Sequence, residues 1–195
     1  MKLTQLATLK TITAAAIAGT AILLPAAALA STAGGSAAAA AAAASPPACA
    51  TSGLVIWLNT FQNAYAGGVD YTLNFTNLSG HACTLRGYPG VSAVSLGGRQ
   101  IGRSAGWGTA MPGVVTLADG ATAHAVLQIA DPGDYGLECF LPGPPPSPGH
   151  PGILPTAAGL RVYPPGQFTS KVVPFPFSAC ASSGPVWLHA GPVQN

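Results

Sequence analysis

Apolar and polar residues alternate with a period of two through much of the chain beyond Gly53. In residues 69–77, Tyr71, Leu73 and Phe75 fall on one face, with Asp70, Thr72, Asn74 and Thr76 on the other. In residues 122–129, Ala123, Ala125, Leu127 and Ile129 oppose Thr122, His124 and Gln128, with Val126 the exception. Leu54, Ile56 and Leu58 alternate likewise, as do Leu160 and Val162. Such alternation predicts half-buried β-strands. Shorter candidates are residues 91–96, 100–102, 114–117, 171–173 and 186–189, and a further strand begins at Cys83. Turn chemistry separates them: Leu78-Ser79-Gly80, Gly97-Gly98, Ala118-Asp119-Gly120, Asp131-Pro132-Gly133 and Pro164-Pro165-Gly166. No stretch of this region shows a convincing 3.6-residue period. The expected fold is all-β, a sandwich of about 7–9 short strands.

The first 48 residues read differently. Lys2 and Lys10 flank the start of an alanine-rich apolar run over residues 11–24, Pro25 breaks it, and Ala28-Leu29-Ala30 has the small-x-small form of a signal peptidase site. Residues 1–30 are therefore expected to be a signal peptide, with Ser31 as the mature start. An uncleaved anchor is the competing reading, since about 20 apolar residues suffice to span a bilayer. Residues 31–48, with eight consecutive alanines at 37–44, are expected to be a disordered tether reaching at most ~60 Å. Residues 49–195 would form the domain, enough chain to bury a core.

Removal of the signal changes the charge argument. The whole chain carries a formal +2, but Lys2 and Lys10 leave with the signal, and the remainder is close to neutral. That argues against nucleic acid, whose binding rests on neutralising many phosphates. It argues equally against a polybasic membrane patch after cleavage. The expected location is secreted or extracellular, at or beyond the cell envelope. Cys49, Cys83, Cys139 and Cys180 are too widely spaced for a zinc ribbon and in an exported chain imply two disulfides. Four cysteines allow three connectivities. Cys49–Cys83 and Cys139–Cys180 are favoured, the first tying the start of the domain to an early strand and the second closing a proline-rich excursion. Each would stabilise by roughly 3–4 kcal/mol through loop-closure entropy. That excursion, residues 141–155, carries seven prolines and three glycines and is expected to be an exposed loop of polyproline II character.

The string Phe75-Thr76-Asn77-Leu78-Ser79-Gly80-His81-Ala82-Cys83-Thr84-Leu85-Arg86-Gly87-Tyr88-Pro89-Gly90-Val91 resembles the signature of domain-of-unknown-function family 4232. So does Gly159-Leu160-Arg161-Val162-Tyr163-Pro164-Pro165-Gly166, and the spacing of Cys49, Cys139 and Cys180 is similar. The resemblance implies an exported actinobacterial protein with an immunoglobulin-like sandwich and no mapped catalytic residues. This chain departs from simpler members in its proline-rich insertion and in lacking a lipid-attached cysteine. Within the signature, Asn77 to Gly80 is expected to form a hairpin turn, and Tyr88 to cover the core while its hydroxyl finds a partner.

Candidate chemistry is sparse. Gly102-Arg103-Ser104-Ala105-Gly106 matches the G-x-S-x-G nucleophile elbow, but Trp107-Gly108 follows where the elbow needs a helix. Asp131, Asp134 and Glu138 form an acidic cluster that suits glycoside hydrolysis or calcium in principle, and a solvated turn more simply. His81, His124, His150 and His189 are scattered without metal-ligand spacing. Arg99, Arg103 and Trp107 lie close in sequence and are the expected binding surface, an aromatic platform with cations beside it. No cofactor motif is present. The leading expectation is a non-catalytic extracellular module that binds a cell-wall polymer or an extracellular protein through loops at one end of the sandwich. The alternatives are a secreted hydrolase using Ser104 or the Asp131, Asp134 and Glu138 cluster, and a purely structural envelope domain.

Overall fold

In the computed structural model, which describes residues 45–143, 147–148 and 152–195, the alternating segments become strands. Among the described residues these are β1 (Leu54–Tyr65), β2 (Gly68–Asn77), β3 (Cys83–Arg86), β4 (Gly90–Val94), β5 (Gln100–Ile101), β6 (Gly106–Trp107), β7 (Val114–Leu117), β8 (Thr122–Ala130), β9 (Thr156–Tyr163), β10 (Lys171–Ser178) and β11 (Leu188–Ala190). They exceed the expected number because β5 and β6 are two-residue pieces, and β6 is too short to display a period. The chain is all-β and sandwich-like. One sheet runs β1-β2-β8-β11-β6, the other β10-β9-β4-β5, and β3 and β7 form a separate ribbon.

The predicted inner faces meet in one core. Leu73, Phe75, Ala123, Ala125 and Leu127 from the first sheet are fully buried, as are Leu160 and Val162 from the second. A side chain such as Phe75 gains roughly 1.5–3 kcal/mol from this burial. Trp187, just before β11, is fully buried as well. Cys49–Cys83 and Cys139–Cys180 are the two disulfides, the pairing favoured from the sequence. Among the described residues no helix is long and apolar enough to cross a membrane.

Several expectations need correction. Asn77 to Gly80 is not a hairpin turn, because β2 pairs with β1 and β8 while β3 pairs with β7. It is a corner that carries the chain from the five-stranded sheet to the ribbon. The fully buried Asn77 holds that corner. Its Nδ2 donates to the carbonyls of His81, Leu117 and Ala118, and its Oδ1 accepts from the amide and hydroxyl of Ser79. A buried amide with every group paired favours one backbone path over its neighbours.

The end of the tether also belongs to the fold. Thr84 donates its N–H to Pro47 at 2.8 Å, Cys49 donates to Thr84, and Ala48 bridges Thr84 in parallel. Prolines hold this stretch extended, so its carbonyls can pair with a neighbouring strand. The signal segment and the alanine run lie outside the described residues. Residues 144–146 and 149–151 of the proline-rich excursion do too, while residues 141–143 and 147–148 are exposed as expected, and its flanks are joined where Leu141 donates to Ile153 at 2.7 Å. The Asp131 turn opens two short 3-10 turns within Pro132–Cys139, separated by a kink at Tyr135 and Gly136, and the second delivers Cys139 to its disulfide.

Candidate binding cleft

The β1–β2 hairpin closes through a two-residue turn, Ala66-Gly67, with Gly67 at φ +88°, a conformation only glycine takes without strain. Its carbonyl accepts from the Asp131 amide at 2.9 Å, which fastens the hairpin to the end of β8. Asp131 caps the 3-10 segment with Oδ1, accepting from Gly133 at 2.9 Å. Across from this corner runs β10, an edge strand in which Pro174 and Pro176 alternate with Phe175 and Phe177. Proline is tolerated at a sheet edge, where no ladder donor is required. Phe175 and Phe177 thereby point inward together.

Between these elements lies a cleft of about 550 Å³ whose lining includes Tyr65, Tyr71, Asp131, Asp134, Phe175 and Phe177. Tyr71 meets Phe175 edge-on, with centroids 5.0 Å apart and an interplanar angle of 71°. Phe175 stacks on Phe177 at 5.5 Å, and Phe177 continues to Trp187 at 5.9 Å. The Tyr71 hydroxyl donates to Gln62 Oε1 at 2.8 Å, which fixes the ring. A second hollow of about 580 Å³, lined by Thr60, Phe61, Gln62, Tyr71 and Phe175, adjoins the first across the Tyr71–Phe175 pair. Tyr65 lies over Gly68, where a Cβ would fall 2.5 Å from the Tyr65 hydroxyl and 2.8 Å from the Ile129 carbonyl. Burial raises the Tyr65 hydroxyl above its ordinary pKa, and the charge of Asp70 and then Tyr135 adds to the effect.

The residues singled out from the sequence are divided among other places. The chain crosses from one sheet to the other between Ile101 and Gly106, so Arg99, Arg103 and Trp107 face different neighbours. Arg99 lines a groove with Gln100, Leu141 and Thr156. Arg103 donates to the Gly184 carbonyl at 3.2 Å. Trp107 stacks on Tyr88 at 5.9 Å, donates its indole N–H to Pro89 at 3.2 Å, and remains 63% exposed. The Tyr88 hydroxyl donates to the Ala110 carbonyl, as its need for a partner suggested, but the ring does not cover the core: it is half-buried and stacks on the exposed Trp107 instead.

The Ser104 hydroxyl lies 3.1 Å from Ser92 Oγ and accepts from Gln100 Nε2 at 3.2 Å, neither of which is a general base. Both glycines around it have packing reasons. A Cβ on Gly102 would run into the Cys180 carbonyl, and one on Gly106 would sit 2.8 Å from Val186 Cγ1. Asp131 and Asp134 reach the cleft, whereas Glu138 lies beside Gly184, its Oε2 3.0 Å from where a Cβ there would stand. Among the described residues no three His, Cys, Asp or Glu side chains are grouped to hold a metal ion. His81 pairs with the Ser79 carbonyl, His124 with Gln194, and the His189 ring lies over Gly106. His150 falls outside the described residues.

Sequence reasoning missed Tyr65, Tyr71, Phe175 and Phe177 as a group. The signal that could have found Phe175 and Phe177 is their period-two placement beyond the predicted strand 171–173, with prolines between that an edge strand tolerates. Residues 49–194 match the family described as Domain of unknown function (DUF4232). The chain belongs to that family. Neither a curated protein nor a solved structure matches it.

Proposed function

We propose that this DUF4232 chain is exported and works outside the cell as a non-catalytic module that binds a slender cell-wall polymer in the Tyr71–Phe175 cleft. The observation that carries the reading is the aromatic cleft itself, continued by a second hollow on the other side of the Tyr71–Phe175 pair. Its volume lies in the range of about 300–1,000 Å³ typical of small-ligand sites. A chain laid across Tyr71 and Phe175 would touch both hollows. Export is supported by the signal pattern of residues 1–30 and by two disulfides, which persist in oxidising compartments. On this reading the sandwich is immunoglobulin-like and presents its ligand at one end, as such domains commonly do.

The test is co-sedimentation of the oxidised protein with purified cell walls. Saturable binding is expected, reduced at least about tenfold by Tyr71→Ala or Phe175→Ala. Absence of saturable binding would leave the purely structural role instead.

A further inference from the structure

The charge of the cleft has one sign. Asp131 and Asp134 stand in its lining, and none of the domain's basic side chains, Arg86, Arg99, Arg103, Arg161 or Lys171, is there. Asp131 uses one carboxylate oxygen to cap Gly133, and Asp134 holds Oδ2 over Gly67. Phosphate- or carboxylate-bearing chains would be repelled here at close range. Neutral sugar hydroxyls would bond to the exposed carboxylates without the Coulomb attraction that an ion pair adds. A cation satisfies both halves of the lining at once: carboxylates make their stronger, charge-assisted hydrogen bonds to it, and aromatic faces attract it electrostatically.

We infer that the group received at the acidic end of the cleft is an alkylammonium, carried on a peptide of the cell-wall polymer. The inference rests on the polymer-binding reading above and adds the chemistry of the anchoring group. Carboxylates and rings are assigned different roles. Asp131 and Asp134 select the ammonium, while Tyr71 and Phe175 hold the chain that bears it. The hydrocarbon stem of such a group lies along aromatic surface while its charged end reaches the carboxylates.

The experiment compares sedimentation of the oxidised protein with native walls and with the same walls after N-acetylation of their amino groups. Acetylation removes the charge and leaves the polymer otherwise intact. The Asp131→Asn/Asp134→Asn variant is run beside the wild type. The Asp131→Asn change keeps a side-chain oxygen that accepts from Gly133, so an unchanged thermal melt is expected. Both acetylation of the walls and the double substitution should weaken binding about tenfold or more, in keeping with loss of a charge-assisted contact. The double variant should no longer distinguish the two walls. Soluble Nα-acetyl-lysine methylamide should displace the native wall, and its Nε-acetylated form should not.

If acetylated walls bind as tightly as native ones while Tyr71→Ala still loses binding, the ammonium assignment is wrong and the cleft reading stands. If Tyr71→Ala and Phe175→Ala bind like wild type, the cleft reading itself is wrong. If the lysine derivative occupies the cleft, shown by chemical shifts at Asp134 and Phe175, while walls do not sediment the protein, the wall source is overturned and a lysine-bearing protein segment takes its place.

Discussion

Two aromatic clusters stand on this domain, and they differ in what surrounds the rings. Tyr88 and Trp107 stack in parallel on the surface, with both polar tips engaged by backbone carbonyls at Ala110 and Pro89. Tyr71, Phe175 and Phe177 line a hollow between two sheets, with Asp131 and Asp134 in the same lining. Trp107 is the more conspicuous residue and the more exposed one. Exposure, however, leaves a ring with one free face and nothing opposite it, whereas a hollow offers contact on several sides and excludes water. Concavity rather than exposure distinguishes the second cluster as a binding site.

The largest expected effect comes from removing the tie between two segments that lead out of the cleft lining, one following Asp134 and the other following Ser178. Cys139–Cys180 closes a separation of 41 residues and ends the kinked 3-10 stretch Pro132–Cys139 that Asp131 caps. Cys139→Ser/Cys180→Ser should cost about 4 kcal/mol in urea denaturation and weaken wall binding. The Cys49–Cys83 pair closes 34 residues at the β3 ribbon. Its removal should cost nearly as much, about 4 kcal/mol, while any protein that remains folded binds normally. Equal loss of binding in both variants would erase the distinction between the regions.

Next in size is truncation of the rings. Phe175→Ala should cost about 2 kcal/mol of stability, less than the ~3–5 kcal/mol of a fully buried phenylalanine, with the tenfold affinity loss stated above. Trp107→Ala removes a stacked pair and one hydrogen bond at an exposed place, worth about 1 kcal/mol. Its affinity for walls should stay within about twofold of wild type. Loss of binding in Trp107→Ala with retention in Phe175→Ala would transfer the site to the first cluster.

The smallest effect is a pH dependence. Tyr65 keeps its proton in the folded protein above the ordinary value near 10, where the unfolded chain has already ionised. The stability this provides is present in full below about pH 10 and is lost as pH rises from there through the raised folded value. Tyr65→Phe should flatten that decline, which urea titrations at pH 9 and pH 11 would register. An identical decline in the variant would remove Tyr65 from the electrostatics of the cleft.

Much of the fold was legible because strand alternation is local. Leu73 and Phe75 on one side, and Ala123, Ala125 and Leu127 on another strand, were assigned to the core from spacing alone, and all are fully buried. The strand expected over residues 171–173 runs on to Ser178, because Pro174 and Pro176 are tolerated at the edge position β10 occupies. The corner at Asn77 was misread for a related reason. Its turn residues were correct, but whether two strands joined by a turn also pair depends on which partners are available elsewhere.

The candidate site was scarcely legible at all. Arg99, Arg103 and Trp107 looked like a surface because they are near in sequence, and a crossing between sheets separates their surroundings. Tyr71 and Phe175 are more than a hundred positions apart, yet their centroids lie 5.0 Å from each other. The sequence by itself determined most strands and their inward faces, since these follow from period and turn chemistry, while it only favoured one of three cysteine pairings, which the tertiary structure then decided. Only the tertiary structure decided which strand edges meet, and therefore where a hollow is left between them. Sheet order joins distant segments through backbone hydrogen bonds that any residue but proline can make, so it leaves little trace in residue identity.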